Sequence, residues 1–133
     1  MNRRQLTLLA LSLLSASALA QTFPSKPIRI VVPFGAGGVA EGAAAGTLVI
    51  DMSSIDPEAT KALADEAAGK GLRWVDSPLS GGIPKAATGE LTLMQGGAVA
   101  DVAEAQALLA RVASNQTRMG GAGAGQTTKL INQ

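Results

Sequence analysis

Short apolar segments rich in β-branched residues alternate with segments of helical character along much of this chain. The predicted strands cover residues 28–32, 47–52, 72–75 and 91–94. Strands that alternate with helices favour βαβ units, in which a helix connects two parallel strands of one sheet. The sequence therefore predicts an α/β fold with a mostly parallel sheet, and ligands are expected at the carboxyl ends of its strands.

Two helices are predicted between these strands. Asp56 and Pro57 form an N-cap and first-turn pair, and the helix that they begin is expected to run to about Lys70, before Gly71. The second helix is indicated by apolar residues three and four positions apart, namely Val102, Ala105, Leu109 and Val112.

The amino-acid composition excludes several kinds of site. The 133 residues include no cysteine and no histidine, which excludes disulfides, thiolate or imidazole metal sites and imidazole-based catalytic triads. Lysine and carboxylates remain as proton carriers. Eleven basic and ten acidic residues, with no basic run beyond Arg3 and Arg4, give no support for nucleic-acid binding. The length allows one domain with a modest core.

Residues 1–20 have the layout of a secretory signal peptide. Arg3 and Arg4 precede an apolar stretch over residues 6–14, and Ala18 and Ala20 form a small-residue exit. The mature protein is therefore expected to be periplasmic or secreted, with no membrane span once the signal is removed.

A glycine-rich turn follows the first predicted strand. Gly35, Gly37 and Ala40 form a GxGxxA pattern, which in a dinucleotide fold lets backbone N–H groups approach a pyrophosphate. Such a unit also needs a helix of about three turns before the next strand and an acidic residue roughly twenty positions on. Only residues 39–46 are left for the helix. The spacing favours a strand-to-helix turn without a ligand.

Ser80, Gly81 and Gly82 follow the predicted strand that ends near Asp76. Consecutive glycines allow successive N–H groups to converge on an anion such as a carboxylate. An isolated Ser-Gly-Gly tripeptide is also typical of an ordinary turn. The residues alone leave both interpretations open.

A single lysine, Lys129, follows glycines whose spacing predicts the start of a helix. A lysine can donate a proton to a carbonyl oxygen or accept one from a hydroxyl group. The alternative interpretation of any single lysine is a solvated surface charge. Asn132, one turn later, is predicted on the same helix face. The glycines are Gly120, Gly123 and Gly125.

Residues 46–133 resemble the β-hydroxyacid dehydrogenases, the family that contains 3-hydroxyisobutyrate dehydrogenase and tartronate semialdehyde reductase. The resemblance rests on several motifs in family order: GTLVIDMSSIDPE, GLRWVDSPLSGG, ATGELTLMQGG and GAGAGQTTKLINQ. It implies a partial Rossmann-like sheet with flanking helices and NAD or NADP as cofactor. The implied reaction is hydride transfer between the nicotinamide and a 3-hydroxy acid, a small carboxylate.

The same resemblance implies roles for individual residues. Lys129 corresponds to the catalytic residue of the family. Ser54 lies where the family has a Ser-Ser or Ser-Thr pair that approaches the nicotinamide, and the rival role of helix cap is already filled by Asp56. The substrate-binding residues implied by the resemblance are Ser80, Gly81, Gly82 and Asn132.

The chain departs from this family at both ends. The family begins with a strand, a GxGxxG loop and a helix that hold the cofactor pyrophosphate, and it continues past the lysine into a long helical domain. The expected fold lacks the N-terminal cofactor-loop unit and the helical C-terminal domain. Activity of such a truncated, fused protein is a separate question from its ancestry.

The N-terminal part resembles a different family. Residues 1–42, through QTFPSKPIRIVVPFGAGGVAEG, are similar to the start of the solute-binding proteins of tripartite tricarboxylate transporters. The expected organisation is a signal peptide over 1–20, a solute-binding-protein-like strand and loop over 21–45, and a partial dehydrogenase domain over 46–133. One alternative function is an exported carboxylate-binding protein that uses residues 34–38. Another possibility is an inactive product of two fused fragments.

Overall fold

The computed structural model describes residues 28–31 and 42–132. Its strands are β1 Ile28–Val31, β2 Leu48–Asp51, β3 Arg73–Asp76, β4 Leu79–Ser80, β5 Leu91–Gly97 and β6 Ala113–Gly120. Its helices are α1 Pro57–Gly69, α2 Gly82–Thr88, α3 Val99–Leu109 and α4 Ala124–Ile131. The predicted signal peptide, the GxGxxA turn and Gln133 lie outside the described residues.

The described strands form one mixed sheet in the order β1-β2-β3-β5-β4, with β6 also paired to β5. β1, β2 and β3 are parallel to one another, and β5 is parallel to β6. β5 is antiparallel to both β3 and β4. The predicted α/β fold is confirmed, but the strand–helix alternation does not predict the reversed direction of β5 and β6.

The reversal follows from how the chain continues beyond β3. The last two residues of β5 pair with the last two of β3, and Thr92 and Leu93 pair with β4. β3 and β4 therefore act as one antiparallel partner of β5, interrupted at Pro78. This proline has no N–H for the ladder, although its carbonyl accepts the Met94 N–H at 3.1 Å. Because β4 has only two residues, its sequence pattern is too short to predict a strand.

Helices cover both faces of the sheet. Successive residues of β2 point to opposite faces, and all four are buried, as expected for a parallel strand covered on both sides. On one face Val49 packs with Ala67 of α1 and with Leu72. On the other face α3 closes the main core, which contains Leu48, Ile50, Val75, Leu91, Leu93, Val102, Ala105, Leu109 and Ala113.

The two predicted helices are present, with one error. α1 begins at Pro57 behind the Asp56 cap, as predicted. Within α3 the apolar residues predicted to face the core are buried, but Val112 lies beyond the helix and is 39% exposed, so its placement there is wrong. β6 was not predicted, because its residues are mostly polar and exposed. No helix in the described part of the chain has the length and apolar character needed to cross a bilayer.

Candidate active site

The carboxyl end of β2 leads into a loop, residues 53–55, whose start is held by a buried carboxylate. Asp51 is 2% exposed, and its Oδ1 accepts hydrogen bonds from both the backbone N–H and the hydroxyl of Ser53. The N–H bond is 3.0 Å long. These two hydrogen bonds order the chain immediately before Ser54, which is exposed. The residue predicted to approach the nicotinamide therefore lies on an ordered turn at the carboxyl edge of the sheet.

A second carboxylate, at the end of the neighbouring strand, connects the sheet to α4. Asp76 is fully buried and is aligned with Asp51 in the register of β2 and β3. Its two oxygens accept the N–H groups of Gly123 at 2.8 Å and Gln126 at 3.0 Å. Burial raises the pKa of the Asp76 carboxyl above its ordinary value, and the amides of Gly123 and Gln126 oppose this effect.

Asp76 occupies the positive end of the α4 dipole, where an anion is stabilised by exposed N–H groups. A glycine begins the helix as predicted, since the N-cap Gly123 has a φ of +84°. The first N–H groups of α4 point to a carboxylate of the protein itself and are therefore not available to an external anion. Lys129 lies in the last described turn of this helix, away from its first turn.

Gln126 connects α4 to the 53–55 loop, and the sequence analysis gave it no role. The side chain is 2% exposed. Its Nε2 donates to the Ser53 carbonyl at 2.7 Å, and its Oε1 accepts the Ile55 N–H at 3.4 Å. In the sequence, a glutamine inside a polar stretch gives no indication of whether its side chain is buried or solvated. Only its spacing, three residues before Lys129 on a helix, could have suggested it.

A groove of ≈ 280 Å³, here called the lysine groove, lies between the 53–55 loop and α4. It brings together Ser54 and Lys129, two residues that the sequence analysis selected separately. Lys129 is partly buried, and within residues 28–31 and 42–132 it forms no ion pair. The lining residues are Ser54, Ile55, Asp56, Pro57, Gln126, Lys129 and Leu130.

The predicted substrate residues do not line this groove. Ser80 ends β4, and Gly81 precedes α2 with a φ of +128°. An added Cβ at Gly81 would lie 2.8 Å from the Lys85 side chain, so the backbone and this lysine are in close approach. Asn132 caps the end of α4 through its backbone N–H, which donates to Thr128 and Lys129, and it is exposed. The roles of these four residues stay predictions.

Comparison with known proteins assigns the chain to a family. Residues 20–121 match the NAD binding domain of 6-phosphogluconate dehydrogenase. The chain belongs to this NAD binding family. The matched residues include all six described strands and begin within the segment 1–42 that resembles a solute-binding protein, whereas α4 follows the match.

Individual relatives of the chain agree with the resemblance to β-hydroxyacid dehydrogenases. Mitochondrial 3-hydroxyisobutyrate dehydrogenase of Rattus norvegicus is 39% identical over 117 residues, which are 88% of this chain and 35% of that protein. The 2-(hydroxymethyl)glutarate dehydrogenase of Eubacterium barkeri is 38% identical over 111 residues, 84% of this chain and 37% of that protein. Both alignments are longer than residues 46–133, so the similarity extends into the N-terminal part.

A solved structure agrees with the fold. The 3-hydroxyisobutyrate dehydrogenase of Mycobacterium tuberculosis, determined with L-serine, superposes with a TM-score of 0.75 at 29% identity. The superposition covers 79% of this chain and 38% of that chain. The expected family is therefore confirmed, and the chain spans little more than a third of the length of the relatives that it matches.

The matched family model describes an NAD binding domain, and the lysine groove has room for only one end of a dinucleotide. Pockets that enclose a drug-sized ligand have volumes of about 300–1,000 Å³. At ≈ 280 Å³ the groove suits a single ring with its substituents and is too small for a whole dinucleotide. An exposed hydroxyl at Ser54 and an amino group at Lys129 give it polar groups that can orient such a ring.

Proposed function

We propose that this chain binds the nicotinamide end of NAD or NADP in the lysine groove and transfers hydride between the nicotinamide and a small 3-hydroxy acid. The observation that carries the proposal is that Ser54 and Lys129, which are distant in sequence, line the same groove. Similarity to 3-hydroxyisobutyrate and 2-(hydroxymethyl)glutarate dehydrogenases supports this substrate class.

When bound, NAD or NADP supplies or takes up the hydride. The Lys129 amino group donates a proton to the substrate carbonyl oxygen during reduction and accepts the hydroxyl proton during oxidation. The Ser54 hydroxyl, on the loop side of the groove, would donate or accept a hydrogen bond to the nicotinamide end of the cofactor. Apolar side chains of the groove, such as Ile55 and Leu130, exclude part of the water from around the ring.

The substrate carboxylate is assigned to the last residue of β4 and the two glycines that follow it. Ser80 supplies a hydroxyl, and Gly81 and Gly82 supply backbone N–H groups that no side chain of their own shields. Asn132 is assigned a hydrogen bond to the substrate from the end of α4. This division gives proton transfer to Lys129 and carboxylate recognition to a separate segment.

The first experiment is a titration of the full 133-residue chain with NADH and with NADPH, followed by cofactor fluorescence. Turnover of 3-hydroxyisobutyrate is then followed by the absorbance of the reduced cofactor. We expect saturable binding of at least one cofactor. Lys129→Ala should lower kcat by about 10²- to 10⁴-fold, as expected for loss of a general acid–base group, and should leave cofactor affinity nearly unchanged.

Lys70→Ala is the matched control, because Lys70 is an exposed lysine at the end of α1 that pairs with Glu66 and does not line the groove. This variant should behave like the unsubstituted chain. A folded chain that binds neither cofactor would contradict the proposal and would favour the carboxylate-binding alternative. A chain without the circular dichroism of an α/β fold would favour the inactive fusion product.

A further inference from the structure

Gln126 makes two hydrogen bonds whose polarity matches its amide group. The Nε2–H group faces a carbonyl, that of Ser53, and the Oε1 atom faces an N–H group, that of Ile55. Donor and acceptor could not be exchanged without losing both bonds. These two bonds are called the Gln126 bridge below.

The two backbone groups of the bridge belong to the residues on either side of Ser54. The main chain is therefore fixed both before and after Ser54, while the Ser54 side chain itself remains exposed at the groove. Gln126 and Lys129 are three residues apart on α4, so they lie on the same side of the helix, and both line the lysine groove. Gln126 is thus the direct connection between the two walls.

The helix side of this connection is also fixed. The backbone N–H of Gln126 donates to the buried Asp76 at 3.0 Å, so the residue that holds the loop is itself held by the sheet. A nearly inaccessible side chain with both polar groups satisfied has little freedom to move. The Gln126 side chain therefore fixes the backbone on both sides of Ser54 relative to the helix that carries Lys129.

We propose that Gln126 is a positioning residue, which rests on the proposed function: through the Gln126 bridge it holds Ser54 at the distance from Lys129 that hydride and proton transfer require. It touches neither substrate nor the reacting atoms in this role. Misplacement by about 1 Å is enough to reduce a catalysed rate by about a hundredfold. Loss of the bridge should therefore affect turnover more than binding.

The test uses two substitutions of the full chain that remove different parts of the bridge. Gln126→Met keeps the side-chain volume and removes both hydrogen bonds, whereas Gln126→Glu keeps the acceptor for Ile55 and loses the donor to Ser53. Amide hydrogen exchange at Ile55, measured by NMR, should be faster by about tenfold or more in Gln126→Met and less affected in Gln126→Glu, which keeps the acceptor. A role in packing alone would not separate the two variants at this amide.

The kinetic arm measures kcat and KM separately. Gln126→Met should lower kcat by about ten- to a hundredfold and change the KM for the cofactor by less than about threefold. The matched control is Gln116→Met, since the Gln116 Nε2 also donates to a backbone carbonyl, that of Gln106, at 3.0 Å and lies outside the groove. If Gln126→Met does not fold, Gln126→Asn replaces it, because an amide one methylene shorter cannot keep both bonds.

The outcomes separate this inference from the proposed function. Unchanged exchange at Ile55 in Gln126→Met would overturn the inference, as would a fall in kcat no larger than that caused by Gln116→Met. If the unsubstituted chain folds but neither binds nor turns over a cofactor, the proposed function fails, and the catalytic part of the inference fails with it. Fast exchange at Ile55 would then still establish the bridge as the structural link between loop and helix.

Discussion

Position 125 shows at the scale of one residue why glycines precede Lys129. A Cβ at this position would meet the carbonyl oxygen of Met94 and would lie 2.7 Å from Asp76 Oδ2. The glycine therefore allows α4 to approach β5 and the buried carboxylate closely. The sequence analysis connected these glycines with the start of a helix, which is confirmed, but it had no means of seeing that the carboxylate of Asp76 lies against them.

We expect Gly125→Ala to lower the free energy of unfolding by about 1–3 kcal/mol, because backbone atoms of a strand cannot move away as a flexible side chain would. Gly121→Ala is the matched control, since nothing lies within 4 Å of a Cβ there. Its effect should stay within about 0.5 kcal/mol. Urea denaturation of both variants measures the difference, and equal effects would contradict the contact described for position 125.

Residues whose functional groups suit the implied reaction were easier to predict than residues that hold parts of the structure together. Ser54 and Lys129 were selected because a hydroxyl and an amine suit the implied chemistry, and the structure places both at the lysine groove. Gln126 was missed because an amide is equally common on a surface, and its importance depends on a loop distant in sequence. Spacing within a helix predicts which residues share a face, but not what lies opposite.

At the scale of secondary structure, α1 is the element whose start is best defined. Asp56 Oδ1 accepts the N–H groups of Glu58 at 2.9 Å and Ala59 at 3.0 Å, which satisfies two of the free donors of the first turn. Asp56 also lines the lysine groove, so the cap orders one of its edges. This start was predictable because capping depends on residues adjacent in sequence.

Asp56→Ala should lower the free energy of unfolding by about 1 kcal/mol, because the two N–H groups lose their acceptor. Asp65→Ala, on the exposed side of the same helix, removes an equal charge without a capping bond and serves as the control. Thermal unfolding followed by circular dichroism should show a lower midpoint for Asp56→Ala than for Asp65→Ala. Similar midpoints would show that the cap contributes nothing measurable.

The elements that were not predicted are either too short or too exposed to have a recognisable sequence pattern. β4 has two residues and α2 has seven, which are too few for a periodic pattern to stand out. β6 is paired only to β5 among the described strands and is largely exposed, so its side chains are mostly polar. In contrast, β2 is buried on both faces, and its apolar residues made it recognisable.

For the molecule as a whole, Asp76 links the sheet to α4 through hydrogen bonds between residues 47 and 50 positions apart. Burial raises the pKa of this carboxyl above 3.8, so the folded protein holds the proton more tightly than the unfolded chain. A raised folded pKa gives a stabilising contribution that is present below the unfolded pKa and is lost as pH rises through the folded pKa. The carboxyl of Asp76 therefore favours folding less at neutral pH than in acid.

The measurement is urea denaturation of the chain and of Asp76→Asn at several pH values from about 3 to about 7. Asp76→Asn should be less stable by about 1–3 kcal/mol at neutral pH, because its amide nitrogen cannot accept an N–H bond. The advantage of the unsubstituted chain should become smaller as pH rises above 3.8. An advantage that grows with pH would show that the amides of Gly123 and Gln126 outweigh burial.

The α/β fold, and the family from residues 46–133, could be predicted because strand–helix alternation and linked motifs are properties of the sequence. The directions of β5 and β6 could not, since they depend on the interruption at Pro78 and on pairing that only the folded chain shows. Of the residues that line the lysine groove, Ser54 and Lys129 were selected from the sequence, whereas Gln126, which joins its walls, was not.

The hydrogen bonds that join α4 to the rest of the protein also bear on the order of folding. The bonds from Gln126 to Asp76 and Ser53 connect residues 50 and 73 positions apart. Closing loops of this length costs more chain entropy than pairing β4 with β5, which are separated only by α2 and its short connections, and contacts between distant residues form slowly. We expect the sheet to assemble first and α4 to dock afterwards, so that a fold with most of its core can exist for a time before the lysine groove is formed.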